Sequence, residues 1–320
     1  ETNPFLAPPP LPELLPTVEQ IDAAVTANDV GLITIGRNSG EFIDRKAKDD
    51  FYLTEAEQTL IRTVSAAFHK AGKPVVVVLN VGGVIAGDSW RDQVDAILLA
   101  WQPGQEAGHA VADVLSGKVN PSGKLTDTFA LDLKDYPAAE NFPGVTLLGP
   151  DPTASGGIVI NDRAAEVEYR DDIRVGYRHF NTRDVEVAYP FGYGLSYTRF
   201  EYRDLKLTRE DAGFTASVIV TNTGRRAGKE VVQLYVSAPN NVLEKPAAEL
   251  RTYAKTRLLQ PGQSQTLVMR VEPRGLTSFD PEAHRWVANP GRYTVSIGAS
   301  SRDIRQQVQF DIKDELSFMP

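Results

Sequence analysis

The chain has 320 residues, 42% apolar and 24% charged, which is room for one large or two ordinary globular domains. A net charge of −8, with Lys and Arg scattered rather than gathered on a stripe, argues against a phosphate-backbone partner. There are no cysteines, which excludes disulfides, thiol nucleophiles and thiolate metal sites, and no apolar run approaches the roughly 18–20 residues of a membrane span.

The first segment, 1–17, begins "ETNPFLAPPPLPELLP", carries six prolines and reads as an extended tether. Because the chain starts at Glu1 without a signal-like apolar region, we expect a mature product, a cut piece or a recombinant fragment, in a cytoplasmic or a secreted compartment. "TVEQIDAAVTANDV" is helix-like with Thr17 as N-cap, and "VGLITIG" (30–36) is a β-branched strand. Thr54-Glu55-Ala56-Glu57 is a capping-box sequence, followed by Leu60, Ile61, Val64, Ala67 and Phe68 at helical spacing. Gly72 ends that helix, Pro74 opens the strand "VVVVLNVGG", and "AILLAW" (96–101) leads through "QPGQEAG" into a helix over about 105–116. Strands alternating with helices, each strand apolar throughout, predict a parallel sheet covered on both faces. Three strands are few for a doubly wound sheet, so this α/β domain (18–130) is expected to be incomplete, its remaining strands lying on another chain or an N-terminal segment.

Residues 131–198 read as linker and junction, with Pro, Gly, Asp and Ala concentrated in 131–165. From 199 to 320 the pattern is strands only. Stretches such as "FTASVIVTNTG", "KEVVQLYVSA", "QTLVMRVE" and "RYTVSIGAS" alternate with period two between Gly, Pro and Asn turns. About seven strands over ~115 residues predict a β-sandwich of immunoglobulin-like or fibronectin type III-like kind. The fold class is thus α/β plus all-β.

Chemistry concentrates in "GRNSGEFIDRKAKDD" (36–50), where an apolar strand stops at Gly36 and a charged loop follows. By residue type alone Glu41 is a solvated loop charge. A Glu on a Gly-flanked loop at the C-terminal end of a parallel strand is also placed to reach a neighbouring domain. Asp44 and Arg45 suit a loop-bracing ion pair, and Arg37 suits either structural support or sugar hydroxyls. Glu106, at a helix start, favours the N-terminal dipole, and Trp101 reads as core more readily than as a sugar platform. His69, His109, His179 and His284 lack ligand spacing, so no metal site is expected, and no phosphate-loop pattern points to a nucleotide.

Four segments together resemble glycoside hydrolase family three: "GRNSGEFIDR", "WQPGQEAGHAVADVLSGKVNPSGKLTDTF" (101–129), "VGYRHFNTRDVEVAYPFGYGLSYTRFEY" (175–202), and "NTGRRAGKEVVQLYV" with "ANPGRYTVSIGASSRDIR". The resemblance runs in order over about 18–312. It implies the C-terminal part of an exo-acting retaining β-glycosidase, a β-glucosidase first and a β-xylosidase second, with Glu41 as general acid/base. The nucleophilic Asp would stand on an N-terminal barrel that this sequence does not contain, since its Ser-Asp-Trp context is absent. That barrel and a β-glucoside or oligosaccharide are the implied partners, and no cofactor is implied. Phe42 departs from the glycine common at that place in the family and puts the loop conformation in doubt. The competing reading is a non-catalytic scaffold or carbohydrate-binding fragment.

Overall fold

The computed structural model describes residues 12–37, 45–142, 144–146, 165–210 and 213–320. Most of the proline-rich tether therefore lies outside the described residues. The chain divides into two compact units, Glu1–Ala112 with Phe129–Arg170, and Asp113–Thr128 with Asp171–Pro320.

In the first unit three parallel strands, β1 (Gly31–Gly36), β2 (Val75–Asn80) and β3 (Ala96–Leu99), stand in the order β1-β2-β3. Ile33, Val77 and Ile97 are in register, as are Ile35, Leu79 and Leu99, and these residues share one core cluster with Ile61 and Phe68. Helix α1 (Val18–Ala27) is opened by a Thr17/Gln20 capping box and α2 (Glu55–Lys70) by the Thr54/Glu57 box. Each box satisfies two of the amides that a helix start leaves unpaired. The Lys73 ammonium donates to the Val25 and Asn28 carbonyls at 2.6 and 2.8 Å, setting a cation where the α1 dipole is negative. On α2, Ile61 and Phe68 are buried at 0% and 3% exposure, and each such side chain contributes roughly 1.5–3 kcal/mol.

Two expectations need correction here. The sheet is not covered evenly on both faces: β1 alternates buried and exposed, Leu32 is 59% exposed, and Ala96, in register with it across Val76, is exposed too. A strand order of 1-2-3 with right-handed crossovers carries both connections over the same face, which leaves the other face short of cover. Strand β3 also stops at Leu99 rather than at 101, since Trp101 takes φ 53°, a left-handed value that no strand continues through. The following helix, α3, spans Ala107–Leu115 and carries the chain into the second unit. Among the described residues no strand pairs with the outer edge of β1 or of β3.

The second unit begins its own structure with α4 (Tyr177–Thr182) and then builds a sandwich. Its strands are β4 (Phe200–Glu210), β5 (Gly213–Asn222), β6 (Val231–Ser237), β7 (Glu249–Lys255), β8 (Ser264–Val271), β9 (Ser278–Asp280), β10 (Arg285–Ala288), β11 (Gly291–Gly298), β12 (Ile304–Ile312) and β13 (Leu316–Phe318). A four-stranded sheet, β7-β6-β11-β12, faces a three-stranded sheet, β8-β5-β4, across a core that includes Phe214, Val218, Val220, Leu234, Tyr293 and Ile297. Strand β8 shows the period-two signature plainly, with Leu267, Met269 and Val271 buried between exposed neighbours. A small third sheet, β9-β10-β13, was not foreseen, because strands of three and four residues are too short to display a period.

Candidate functional site

At the C-terminal end of the parallel sheet, β1 runs out at Gly36 and the Arg37 amide still pairs with the Asn80 carbonyl at 3.0 Å. The Arg37 side chain then turns inward. Its guanidinium donates to Glu57 Oε1 at 2.5 Å and Oε2 at 2.9 Å, to the Asp50 carbonyl at 2.9 Å and to the Gly36 carbonyl at 2.7 Å. At 11% and 9% side-chain exposure, Arg37 and Glu57 form a largely buried bidentate pair, the strong geometry for these groups. Glu57 also accepts from the Thr54 amide at 2.8 Å, so one carboxylate caps α2 and holds Arg37.

Eight residues further on, Arg45 is fixed to the same spot. It donates to Asp50 Oδ1 at 3.0 and 2.7 Å and to the Val84 carbonyl at 2.6 Å, while Asp50 Oδ2 accepts from the Lys46 amide at 3.2 Å. Gly83 makes room for this, since a Cβ there would stand 2.7 Å from Arg45 Nη1. Two cations and two carboxylates thus brace the stem that enters and leaves segment 38–44. Glu41, Phe42 and Asp44 lie outside the described residues, and the ion-pair partner described for Arg45 is Asp50. The residues that sequence reasoning missed are Asp50 and the arginine-holding role of Glu57. Asp50 sits in the charged stretch itself, but a loop charge has no periodicity to single it out.

The other candidates resolve as structure. Trp101 is half-buried against the sheet core, with its ring 6.0 Å from that of Phe129. Glu106 Oε2 accepts from Nδ1 of the exposed His109 at 2.7 Å. His69 meets Asp95 at 2.9 Å, and Asp95 also accepts from the Val75 amide at 2.7 Å, the largest of the influences that hold its carboxyl below the usual range. Among the described residues there is no group of three or more His, Asp or Glu arranged to hold a metal. Near the stem, the Tyr52 hydroxyl donates to Asp132 Oδ1 at 2.8 Å and accepts from the Leu133 amide at 3.2 Å.

Much of the motif-rich sequence in 113–128 and 175–235 serves the second unit's own framework. Asn120 Oδ1 accepts from the Ser196 hydroxyl at 2.9 Å and the Tyr197 amide at 2.8 Å, while its amide donates to the Ala227 carbonyl at 2.9 Å. Lys124 and Glu230 form a largely buried ion pair at 3.0 Å. Asn222, fully buried, accepts from the Thr198 hydroxyl and the Gly224 amide and donates to the Arg226 and Leu259 carbonyls. Gly192, at φ 79°, approaches Gln233 so closely that a Cβ would lie 2.0 Å from its Oε1.

Residues 16–197 match the description Glycosyl hydrolase family 3 C-terminal domain, and residues 230–301 match Fibronectin type III-like domain. Beta-glucosidase A of Butyrivibrio fibrisolvens is 41% identical over 89% of this chain and 37% of its own length. A beta-glucosidase of Rhizobium radiobacter is 40% identical over 89% of this chain and 33% of its own. The solved structure of beta-glucosidase 3B from Thermotoga neapolitana in complex with alpha-D-glucose superposes with a TM-score of 0.89 at 46% identity, covering 98% of this chain and 41% of that one. The chain therefore spans well under half the length of these relatives.

Proposed function

The chain belongs to glycosyl hydrolase family 3, and from that premise we propose that it is the C-terminal part of a retaining exo-β-glycosidase acting on terminal β-D-glucosyl residues. Glu41 is its general acid/base, and the nucleophilic Asp stands on an N-terminal barrel outside this sequence. Glu41 protonates the glycosidic oxygen while the Asp carboxylate attacks the anomeric carbon and the C–O bond breaks. In the second half-reaction the Glu41 carboxylate takes a proton from water, whose oxygen displaces the Asp. Such an acid must be delivered to the same point in both steps, so its loop needs anchored ends.

The observation that carries this reading is the double clamp, with Arg37 on Glu57 and Arg45 on Asp50, at the two ends of the segment that holds Glu41. It stands at the C-terminal edge of a parallel sheet, where ligand sites of open α/β sheets form. The β-glucosidases among its relatives favour glucose as the sugar. The experiment is azide trapping with the chain joined to its barrel. In Glu41→Ala, added azide should intercept the glycosyl-enzyme and yield β-glucosyl azide with partial recovery of turnover. Turnover unaffected by azide, with no such product, would remove Glu41 from the role.

A further inference from the structure

The carboxyl ends of β2 and β3 bring one more polar side chain to the edge that carries the clamp. After β2 the chain passes through Gly82 and Gly83, and other side chains stand where their Cβ atoms would be. A Cβ on Gly82 would lie 2.8 Å from Gln102 Nε2, and one on Gly83 would lie 2.7 Å from Arg45 Nη1. The Gln102 carboxamide and the Arg45 guanidinium thus rest on adjacent residues, whose Cα atoms are about 3.8 Å apart. Gln102 is exposed, although it sits against the backbone. Trp101 before it holds φ 53°, a left-handed value that is costly for a residue with a Cβ, and its half-buried ring is anchored in the sheet core. That turn ends β3 and lays the next side chain back over the end of β2. Non-glycine residues held in this region gather at active sites and ligand clamps.

We propose that Gln102 sets leaving-group specificity by hydrogen-bonding a hydroxyl of the leaving-group sugar. The inference rests on the reading of Glu41 as the acid. The glycosidic oxygen that Glu41 protonates departs with the leaving group, whereas the sugar that bears the anomeric carbon stays on the nucleophile of the barrel. Polar groups gathered at the acid's own stem therefore stand on the leaving-group side. Ligand sites of open α/β sheets form in the crevice beyond the carboxyl ends of the strands, where Gln102 is delivered. A carboxamide carries both donors and an acceptor, so it can pair with a hydroxyl in either sense, and its neutrality suits a neutral sugar. Arg45 is the less suited neighbour, because its guanidinium is already engaged by Asp50 and the Val84 carbonyl at 2.6–3.0 Å.

The test compares two substrates of the chain joined to its barrel, cellobiose and phenyl β-glucoside. Both have leaving groups that need a proton, but only cellobiose offers hydroxyls on the leaving side. Gln102→Ala should lower kcat/KM roughly tenfold on cellobiose, as the loss of one hydrogen bond to substrate would read, and by less than about twofold on phenyl β-glucoside. Gly82→Ala should give the same selective loss, because the nearest atoms its Cβ would meet all belong to the flexible Gln102 side chain. Circular dichroism checks that each variant is folded, and Gly82→Ala keeps the test decisive if Gln102→Ala is not. Equal losses on the two substrates would mean that Gln102 only holds the acid in place, and no loss on cellobiose would mean that it does not touch the leaving group. Either result overturns the inference. Failure of the Glu41 reading shows separately, as a Glu41→Ala variant whose hydrolysis of phenyl β-glucoside is undiminished.

Discussion

Replacing Glu57 by Gln tests the clamp with the least disturbance. Gln is still competent at the third position of a capping box, so the Thr54 amide can keep an acceptor. What changes is the pair with Arg37. Glu57 offers two oxygens, one taken by Arg37 Nη1 at 2.5 Å and the other shared by Arg37 Nη2 and the Thr54 amide at 2.9 and 2.8 Å. An amide has one oxygen, so if it serves the cap, its NH₂ is turned against Nη1, and the Arg37 charge stays at 11% exposure with only the Asp50 carboxylate, 3.8 Å from Nε, to balance it. Breaking a buried pair by removing one partner costs about 3–5 kcal/mol. Arg37 keeps the Asp50 and Gly36 carbonyls, which moderates the loss to about 2–4 kcal/mol. The assay is urea unfolding followed by tryptophan fluorescence in a Trp286→Phe background, so that Trp90 and Trp101, both packed in the parallel-sheet core, are the reporters. Arg37→Met combined with Glu57→Gln should cost clearly less than the two single changes summed. A Glu57→Gln variant within about 0.5 kcal/mol of the parent would refute the clamp as a stabilising element.

Two other outcomes follow from contacts elsewhere in the molecule. The Asp132 carboxyl is held down to about 2, first by the Lys134 amide, then by the Tyr52 hydroxyl and the Lys134 side chain. A depressed carboxyl contributes stability that is fully present above the unfolded value near 4 and is lost as pH falls through about 2. Tyr52→Phe should raise the Asp132 titration seen by NMR, and a parent value near 4 would contradict the arrangement. Asn222→Leu should cost about 2 kcal/mol or more in the sandwich, because the buried Thr198 hydroxyl loses its acceptor while the Leu259 carbonyl and the part-buried Arg226 carbonyl each lose a donor. An urea midpoint for β-sheet loss unchanged from the parent would show that the network carries no net stability.

The legible part of this molecule is the part with local rules. The capping box at Thr54 and the N-cap at Thr17 could be read from local sequence, and β8 from its alternation, while the Gln20 half of the Thr17 box came only with the structure. The face of β1 left open by Leu32 could not, since a β-branched run looks the same whether one face is covered or two. The third sheet escaped because Phe279, Trp286 and Phe318 come together only through register, across separations no periodicity spans. In the candidate site, Arg37 and Arg45 stand out in sequence but their anchors do not. Asp50 and Glu57 acquire that role from where the chain folds back, and Glu57 is visible beforehand only as a cap. Several of the most recognisable motif residues, among them Asn120, Lys124, Gly192 and Glu230, serve the packing of the second unit.

The central claim is that Glu41 donates the proton to the leaving group, and leaving-group dependence measures it most directly. With the chain joined to its barrel, kcat/KM of Glu41→Ala is compared with the parent on cellobiose and on 2,4-dinitrophenyl β-glucoside, whose phenolate departs without protonation. The account predicts a loss of about 10²–10⁴-fold on cellobiose, the range general acid catalysis supplies, and little loss on the activated substrate. Equal losses on both substrates, or none on cellobiose, would contradict it.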